Sequence, residues 1–264
     1  MADMKQLRTR IKSVNSTLHL TKAMGLVASS KIRRAGIAMQ NAKTYLDAIN
    51  GIMQNLTSDI ECADSPFLQN RGERALIIVI AGDRGLAGGY NANVFRLMRG
   101  LEYVKTIAIG KRAYERYGGE FLSSEHFDAK CAFNMAKSVI HGYLENEYDK
   151  VGIVYTEYLS MMTQTATLKW ILPLERAQES QSAAIFEPDR ETILKSAIVE
   201  YVAGSIAACV KESFASEVAA RRMAMDSAGK NAQQMIDNLT IEYNTARQGA
   251  ITQEITEIVA GSGN

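Results

Sequence analysis

Proline is scarce in this chain. The 264 residues hold three, Pro66, Pro173 and Pro188, so the stretches 1–65 and 189–264 lack the strongest helix breaker and both can form long helices. Cysteine is equally sparse. Cys62, Cys131 and Cys209 are scattered singly, with no C-x-x-C pair, which argues against a disulfide framework and fits a reducing compartment. An excess of one charge is also missing, since 30 Lys and Arg stand against 29 Asp and Glu for a formal net charge of +1. Nothing in that balance points to nucleic acid or a membrane surface as the main partner. The longest wholly apolar run, 75–81, is far shorter than the roughly 20 residues that cross a bilayer, so no direct membrane insertion is expected. The N-terminal Lys5, Arg8 and Arg10 have no apolar segment behind them, which is not the layout of a secretory signal and predicts a cytoplasmic protein.

What the chain does have is a long apolar period. Alternating steps of four and three from Leu7 reach Ile11, Val14, Leu18, Thr21, Gly25, Ala28, Ile32, Ala35, Met39, Ala42, Leu46, Ile49, Met53, Leu56 and Ile60. Nearly all are apolar or small, and a repeat of 3.5 stays on one face only if the helix supercoils against a partner. Such a helix would be about 80 Å long. Thr21, Gly25 and Ala28 should allow a close approach of that partner. A second helix is predicted after Pro188, with Asp189 as its cap. Its stripe begins at Leu194, Ile198, Tyr201 and Ala208, continues through Met225, Ala228, Ala232, Met235 and Leu239, and then passes by way of Tyr243, Ala246 and Ala250 to Ile251, Ile255 and Ile258. At roughly 100 Å it should outrun its mate. Two helices joined by a domain that returns the chain would pair antiparallel.

The middle has another texture. Short buried-strand signals at 75–81, 104–109 and 151–155, and a further strand at 165–174, alternate with amphipathic stretches at 91–98, 111–117 and 134–148. That alternation predicts a Rossmann-like α/β domain with a parallel, doubly wound sheet. Residues 176–184 are polar and Ala-rich and read as a connector. The expected organisation is an N-terminal coiled-coil helix over 1–65, a central α/β domain over 66–188 and a C-terminal coiled-coil helix over 189–264.

Gly82-Asp83-Arg84-Gly85-Leu86-Ala87-Gly88-Gly89 follows the first strand and precedes a helix, where an α/β domain could cradle a phosphate on backbone amides. Its glycines are spaced G-x-x-G-x-x-G-G, neither the dinucleotide nor the P-loop pattern. A structural turn and a nucleotide site both remain open. His19, His126 and His141 form no metal-ligand spacing, and no pair of carboxylates stands out, so no catalytic, cofactor or metal site is expected. Over residues 1–46 the cations Lys5, Arg8, Arg10, Lys12, Lys22, Lys31, Arg33, Arg34 and Lys43 face Asp3 alone. That face suits an acidic partner or simple solvation. Nucleic acid fits less well, because interleaved aromatics are missing. Beyond residue 230 the sign reverses, with Asp237, Glu242, Glu254 and Glu257 against Arg247.

Three runs resemble the gamma subunit of F-type ATP synthases, the central rotor shaft. They are Leu20-Thr21-Lys22-Ala23-Met24-Gly25-Leu26-Val27-Ala28-Ser29-Ser30-Lys31, Asp83-Arg84-Gly85-Leu86-Ala87-Gly88-Gly89, and the stretch 243–259, which includes Ala246-Arg247-Gln248-Gly249-Ala250-Ile251-Thr252-Gln253-Glu254. Ala220-Arg221-Arg222-Met223-Ala224-Met225, Phe186-Glu187-Pro188-Asp189 and Ile171-Leu172-Pro173-Leu174 also match, in the family's order. The resemblance implies a non-catalytic subunit of an ion-translocating, ATP-making complex, peripheral on the cytoplasmic face of the bacterial plasma membrane. The implied partners are the alpha and beta subunits of the catalytic hexamer, the epsilon subunit and the membrane c-subunit ring. Met24 and Arg222 would then face acidic levers on the beta subunits, Arg247, Gln248 and Thr252 would be gripped by beta-subunit loops, and Glu187 would belong to the foot on the ring and epsilon. Residues 251–259 would turn in an apolar sleeve.

Departures accompany the resemblance. Ala87 stands where the family commonly has cysteine, which implies a packing role for the turn. Gly25 stands where a larger residue is usual and Asp226 where lysine is common. A central stalk of the archaeal or vacuolar type would share the long helices but not the Rossmann-like middle. A nucleotide-binding module with a coiled-coil arm is the alternative function.

Overall fold

The computed structural model describes residues 2–59, 62–177, 187 and 189–261, the side chains of Ala2 and Asp3 excepted. The order is α1 (Ala2–Thr57), β1 (Ala75–Ile80), α2 (Tyr90–Met98), β2 (Lys105–Ile109), α3 (Lys111–Tyr117), α4 (Ala129–Leu144), β3 (Lys150–Tyr158), β4 (Gln164–Leu172) and α5 (Arg190–Gly261). The predicted Ile60, the connector over 178–184 and Pro188 lie outside the described residues. By compactness the chain divides into two units, one of Met1–Ala28 with Arg222–Asn264, the other Ser29–Arg221.

In the larger unit the strands form one sheet in the order β2-β1-β3-β4. β1 runs parallel to β2 and to β3, but β4 runs antiparallel to β3, with Val154 opposite Leu168. The sheet is therefore mixed, not wholly parallel as the alternation of elements had predicted. The physical reason is the link 159–163, closed by the Ser160 N–H on the Thr163 carbonyl at 3.0 Å. It is far too short for the crossover that a parallel neighbour needs. β1 is buried on both faces, which explains its unbroken Ala-Leu-Ile-Ile-Val-Ile run. Leu76, Ile78 and Ile80 pack with residues of α4 and α5, and Ala75, Ile77 and Val79 with Val94 and Met98 of α2 and Ala113 of α3. α4 begins at Ala129, earlier than the predicted 134, because Asp128 caps it by accepting the Cys131 N–H at 2.8 Å.

β3 outruns β1. Its pairing with β1 ends at Val154, so backbone groups beyond that point need other partners. α5 supplies them. Ser213 Oγ accepts the Thr156 N–H at 2.9 Å, Glu212 Oε1 accepts the Tyr158 N–H at 3.1 Å, and Ser216 Oγ donates to the Thr156 carbonyl at 3.1 Å. These side chains are buried, and they place α5 against the sheet in one axial position. One stretch of α5 is apolar enough by composition to cross a bilayer, yet 56% of it is buried inside the protein. It is a core helix in that stretch.

The stripe of α1 is where the period put it. In the larger unit Ala35, Leu46, Met53 and Leu56 are buried. α5 lies alongside, with the Tyr45 hydroxyl donating to Glu200 at 2.8 Å, Lys43 bonded to Glu212 at 2.7 Å, and Asp59 paired with Arg190. Numbers that fall along α1 rise along α5, so the two run antiparallel. The smaller unit repeats the arrangement, with Gly25 against Arg222 and Met225, and Gly229 against Thr21 and Leu18. Met235, which the periodicity placed in the α5 stripe, is 45% exposed. Ile236 faces inward more than it does, because the step from Ala232 to the next inward position is four residues rather than three.

Candidate functional site

In the smaller unit, Leu18, Thr21, Gly25, Met225, Ala232 and Leu239 are buried between the two helices. Gly25 permits the closest approach. A Cβ placed there would lie 3.1 Å from Arg222 Nη1 and 3.7 Å from Met225 Cβ, so the missing side chain leaves the space that the guanidinium occupies. A groove of about 450 Å³ opens here, lined among others by Thr21, Lys22, Gly25, Arg222, Asp226 and Lys230. Asp226, the departure from lysine, pairs with Lys230 at 2.8 Å one turn along. Met24 and Arg222 are both half-buried and, through Gly25, stand at the same level of the helix pair. Leu20, Leu26 and Val27 are exposed beside them, an apolar surface among the cations of α1.

Arg247, Gln248 and Thr252 form a separate patch. They lie 25 residues and more beyond Arg222 along α5, about 37 Å at the helical rise. All three side chains are exposed, and the Thr252 hydroxyl donates back to the Gln248 carbonyl at 2.9 Å. From Ile251 to the end of α5 every residue is exposed, with Ile251, Ile255 and Ile258 along one face. Glu187 is exposed just ahead of α5. The Asp189 cap is formed as expected, its carboxylate accepting the Thr192 N–H and hydroxyl at 2.8 Å each. Those bonds hold its pKa below the usual Asp value.

The glycine-rich turn after β1 is filled by the protein's own carboxylates. Asp83 Oδ1 accepts the N–H of Lys111 at 3.0 Å and of Ser124 at 3.2 Å, and Oδ2 accepts the Ser123 hydroxyl at 2.6 Å and the Glu125 N–H at 3.0 Å. Burial pushes the pKa of Asp83 up, but these donors outweigh it and hold it below 3.8. Glu217 of α5 comes up beneath Gly82, where a Cβ would sit 2.7 Å from its carboxyl carbon. It pairs with Arg221 and takes the Arg84 backbone N–H. Arg221 in turn donates to the Gly85 carbonyl at 3.3 Å. Asn91 Oδ1 accepts the Gly82 N–H at 2.9 Å. The Gly82 and Arg84 amides, which a phosphate cradle would need, are thus directed at Asn91 and Glu217. Ala87, at the family's cysteine position, is buried at 2% exposure, in keeping with packing.

The sequence marked this turn but missed what fills it. Nothing local to 82–89 announces Glu217, which arrives from a helix more than a hundred residues later. Asp83 has a measurable consequence. Its folded pKa is lowered, so its stabilisation is complete above the unfolded value near 4 and lost as pH falls through the folded one. Asp83→Asn should therefore lower the thermal midpoint at pH 7, and the gap from wild type should close as the pH is taken toward 3. A gap that stays constant with pH would rule the charge out as the cause.

Comparison with known proteins gives a consistent answer. Residues 3–263 match the ATP synthase family. The chain is 39% identical over 284 residues to the ATP synthase gamma chain of Ruminococcus albus, covering 100% of this chain and 99% of that one. It is 37% identical over 287 residues to the gamma chain of Geotalea uraniireducens, covering 99% and 98%. Among solved structures, a chain of the Euglena gracilis mitochondrial ATP synthase superposes with a TM-score of 0.68 at 19% identity, over 99% of this chain and 94% of that one, a likeness of fold.

Proposed function

The chain belongs to the ATP synthase gamma-chain family, and from that membership we propose that it is the rotating central stalk between a membrane ion-driven ring and a catalytic alpha/beta hexamer. The observation that carries this beyond the family is the state of α5. Its first part is fixed in the core of the α/β unit, its middle pairs with α1, and its last residues stand exposed on all sides. In the larger unit the helix is fixed to the α/β fold, and in the smaller unit it presents an end that other subunits can surround.

In this reading residues 1–65 and 189–264 form the shaft and 66–188 the foot. The subunit is non-catalytic, and it works peripherally at the cytoplasmic face of the membrane, with the epsilon subunit and the c-subunit ring at Glu187 and its surroundings. Met24 and Arg222 meet acidic levers of the beta subunits. Arg247, Gln248 and Thr252 are gripped by beta-subunit loops, where a guanidinium fork and an amide bind carboxylates and carbonyls directionally. The isoleucine face beyond them slides, since dispersion contacts have no preferred angle. An asymmetric shaft biases three identical beta subunits differently, and turning it exchanges those biases, so the chain carries coupling free energy between distant sites.

The test is reconstitution. The purified chain should turn over no ATP, and mixing it with alpha and beta subunits should give a complex that hydrolyses ATP and rotates a bead fixed to the foot. Arg247→Ala should lower the torque or weaken the complex by about tenfold, the cost of a charge-assisted hydrogen bond. Turnover by the isolated chain, or failure to assemble, would overturn the proposal. Wild-type torque in the variant would remove Arg247 from the grip.

A further inference from the structure

The glycine-rich turn meets α5 directly, at Gly82 and Gly85, and is linked to α1 through Glu125, which Asp83 holds in place. Asp83 accepts four hydrogen bonds, from Lys111, Ser123, Ser124 and Glu125, which hold the segment 123–125 against the turn. That fixes Glu125, whose carboxylate forms an ion pair with Lys31 of α1 and lies 3.9 Å from Arg84 Nη2. Lys31 holds the Glu125 pKa below its usual value. On its other side the same turn receives α5, with Glu217 under Gly82 and Arg221 on the Gly85 carbonyl. Lys31 and Glu217 occupy matching levels of the antiparallel pair, the level set by Tyr45 beside Gly204 and Lys43 beside Glu212.

We propose that the turn 82–89, with Asp83 at its centre, is a collar that clamps both helices of the shaft to the α/β domain and so sets the torsional stiffness of the rotor. Hydrophobic packing between helices tolerates small rotations and slides, because dispersion is non-directional. An ion pair and hydrogen bonds to fixed backbone atoms do not, because their strength falls steeply with angle. The collar supplies directional contacts on α5 through Glu217 and Arg221, which meet the turn itself, and on α1 through Lys31, which pairs with Glu125 in the segment that Asp83 holds. Lys31, Asp83 and Glu125 are accordingly positioning residues, which act on no nucleotide and need touch no other subunit. A motif that the sequence offered as a phosphate cradle becomes a mechanical joint.

The proposal rests on the rotor reading, and the experiment separates the two. In the reconstituted complex, with the hexamer fixed to a surface, a bead is attached through Met162→Cys in the exposed β3–β4 link, on a background lacking the three native cysteines. ATP-driven rotation of that bead tests the rotor reading by itself. The collar is tested by the width of the bead's angular fluctuation during the pauses. Asp83→Asn and Lys31→Gln should each raise the angular variance about twofold while the number of pauses per turn stays the same. The charge exchange Lys31→Glu with Glu125→Lys, made together with Arg84→Gln so that the new lysine faces no like charge, should bring the variance back toward wild type, which loss of general stability would not do. If Asp83→Asn does not assemble, Lys31→Gln and the exchange carry the test alone, since Lys31 is a partly exposed surface pair. Unchanged variance in a rotating complex, or an exchange variant as loose as Lys31→Gln, would overturn the collar and leave the rotor reading intact.

Discussion

Replacing Gly110 with alanine is expected to leave no folded α/β domain. Gly110 has a φ of +92°, and a Cβ there would stand 1.9 Å from the Ala81 carbonyl oxygen and 2.8 Å from its carbon. Both the conformation and the contact exclude a side chain. The obstacle is backbone, and that backbone is fixed. The Ala81 N–H donates to Ile109 at 2.9 Å, the Gly110 N–H to Leu122 at 2.7 Å, and the Arg112 N–H to Gly82 at 3.1 Å. Relief would require parting the C-terminal ends of β1 and β2. The cost should exceed about 4 kcal/mol, against a total margin of about 5–15 kcal/mol for a typical domain. Soluble yield and circular dichroism of the variant measure this. A midpoint within a few degrees of wild type would show that the two strand ends can separate freely.

Glu217→Ala should be the most damaging change of a charged side chain. Glu217 and Arg221 are 3% and 13% exposed at their side chains, and removing the carboxylate strands a guanidinium in a nearly dry setting. Breaking such a pair costs about 3 kcal/mol or more. It also takes the acceptor from the Arg84 N–H and empties the space below Gly82. Glu217→Gln separates charge from shape. Burial is the main cause that raises the Glu217 pKa above 4.5, with the neighbouring Asp83 adding to it and Arg221 opposing. A raised folded pKa means that stability is greatest below the unfolded value and falls as pH rises through the folded one. Wild type should therefore lose ground to the glutamine variant as pH is raised from 4, while the alanine variant stays the least stable throughout. Thermal midpoints across that range decide it. An alanine variant as stable as the glutamine one would show that the carboxyl group holds nothing in place.

The helical parts of this chain were readable for a simple reason. A buried stripe repeats along α1, so from Leu7 to Leu56 each position of the period is buried or half-buried, and no proline interrupts it. Strand existence was readable too, because β1 is buried on both faces and must be apolar throughout. Strand direction was not. Apolar spacing in β4 is the same whether it runs up or down, and only the shortness of 159–163 decides. Met235 failed on a step of three against four, a choice that a single apolar residue does not settle. The Arg247-Gln248 run and Met24 were singled out through family resemblance alone, whereas their exposure depends on how the two helices pack and could not be read from the sequence. Asp83 shows the limit most clearly. Its residue type was visible and its four donors were not, because three of them are backbone groups, which every sequence possesses.

The exposed end of α5 has a further consequence. An isolated peptide covering 251–261 would be mostly unfolded in water, since starting a helix fixes several residues for one hydrogen bond. Here the start has already been made upstream, where α5 is paired with α1, and each later residue needs only to extend it. The isoleucine ridge is therefore shaped before anything surrounds it. A protein that receives it meets a finished rod and need not order a tail, so little backbone entropy is lost at that encounter.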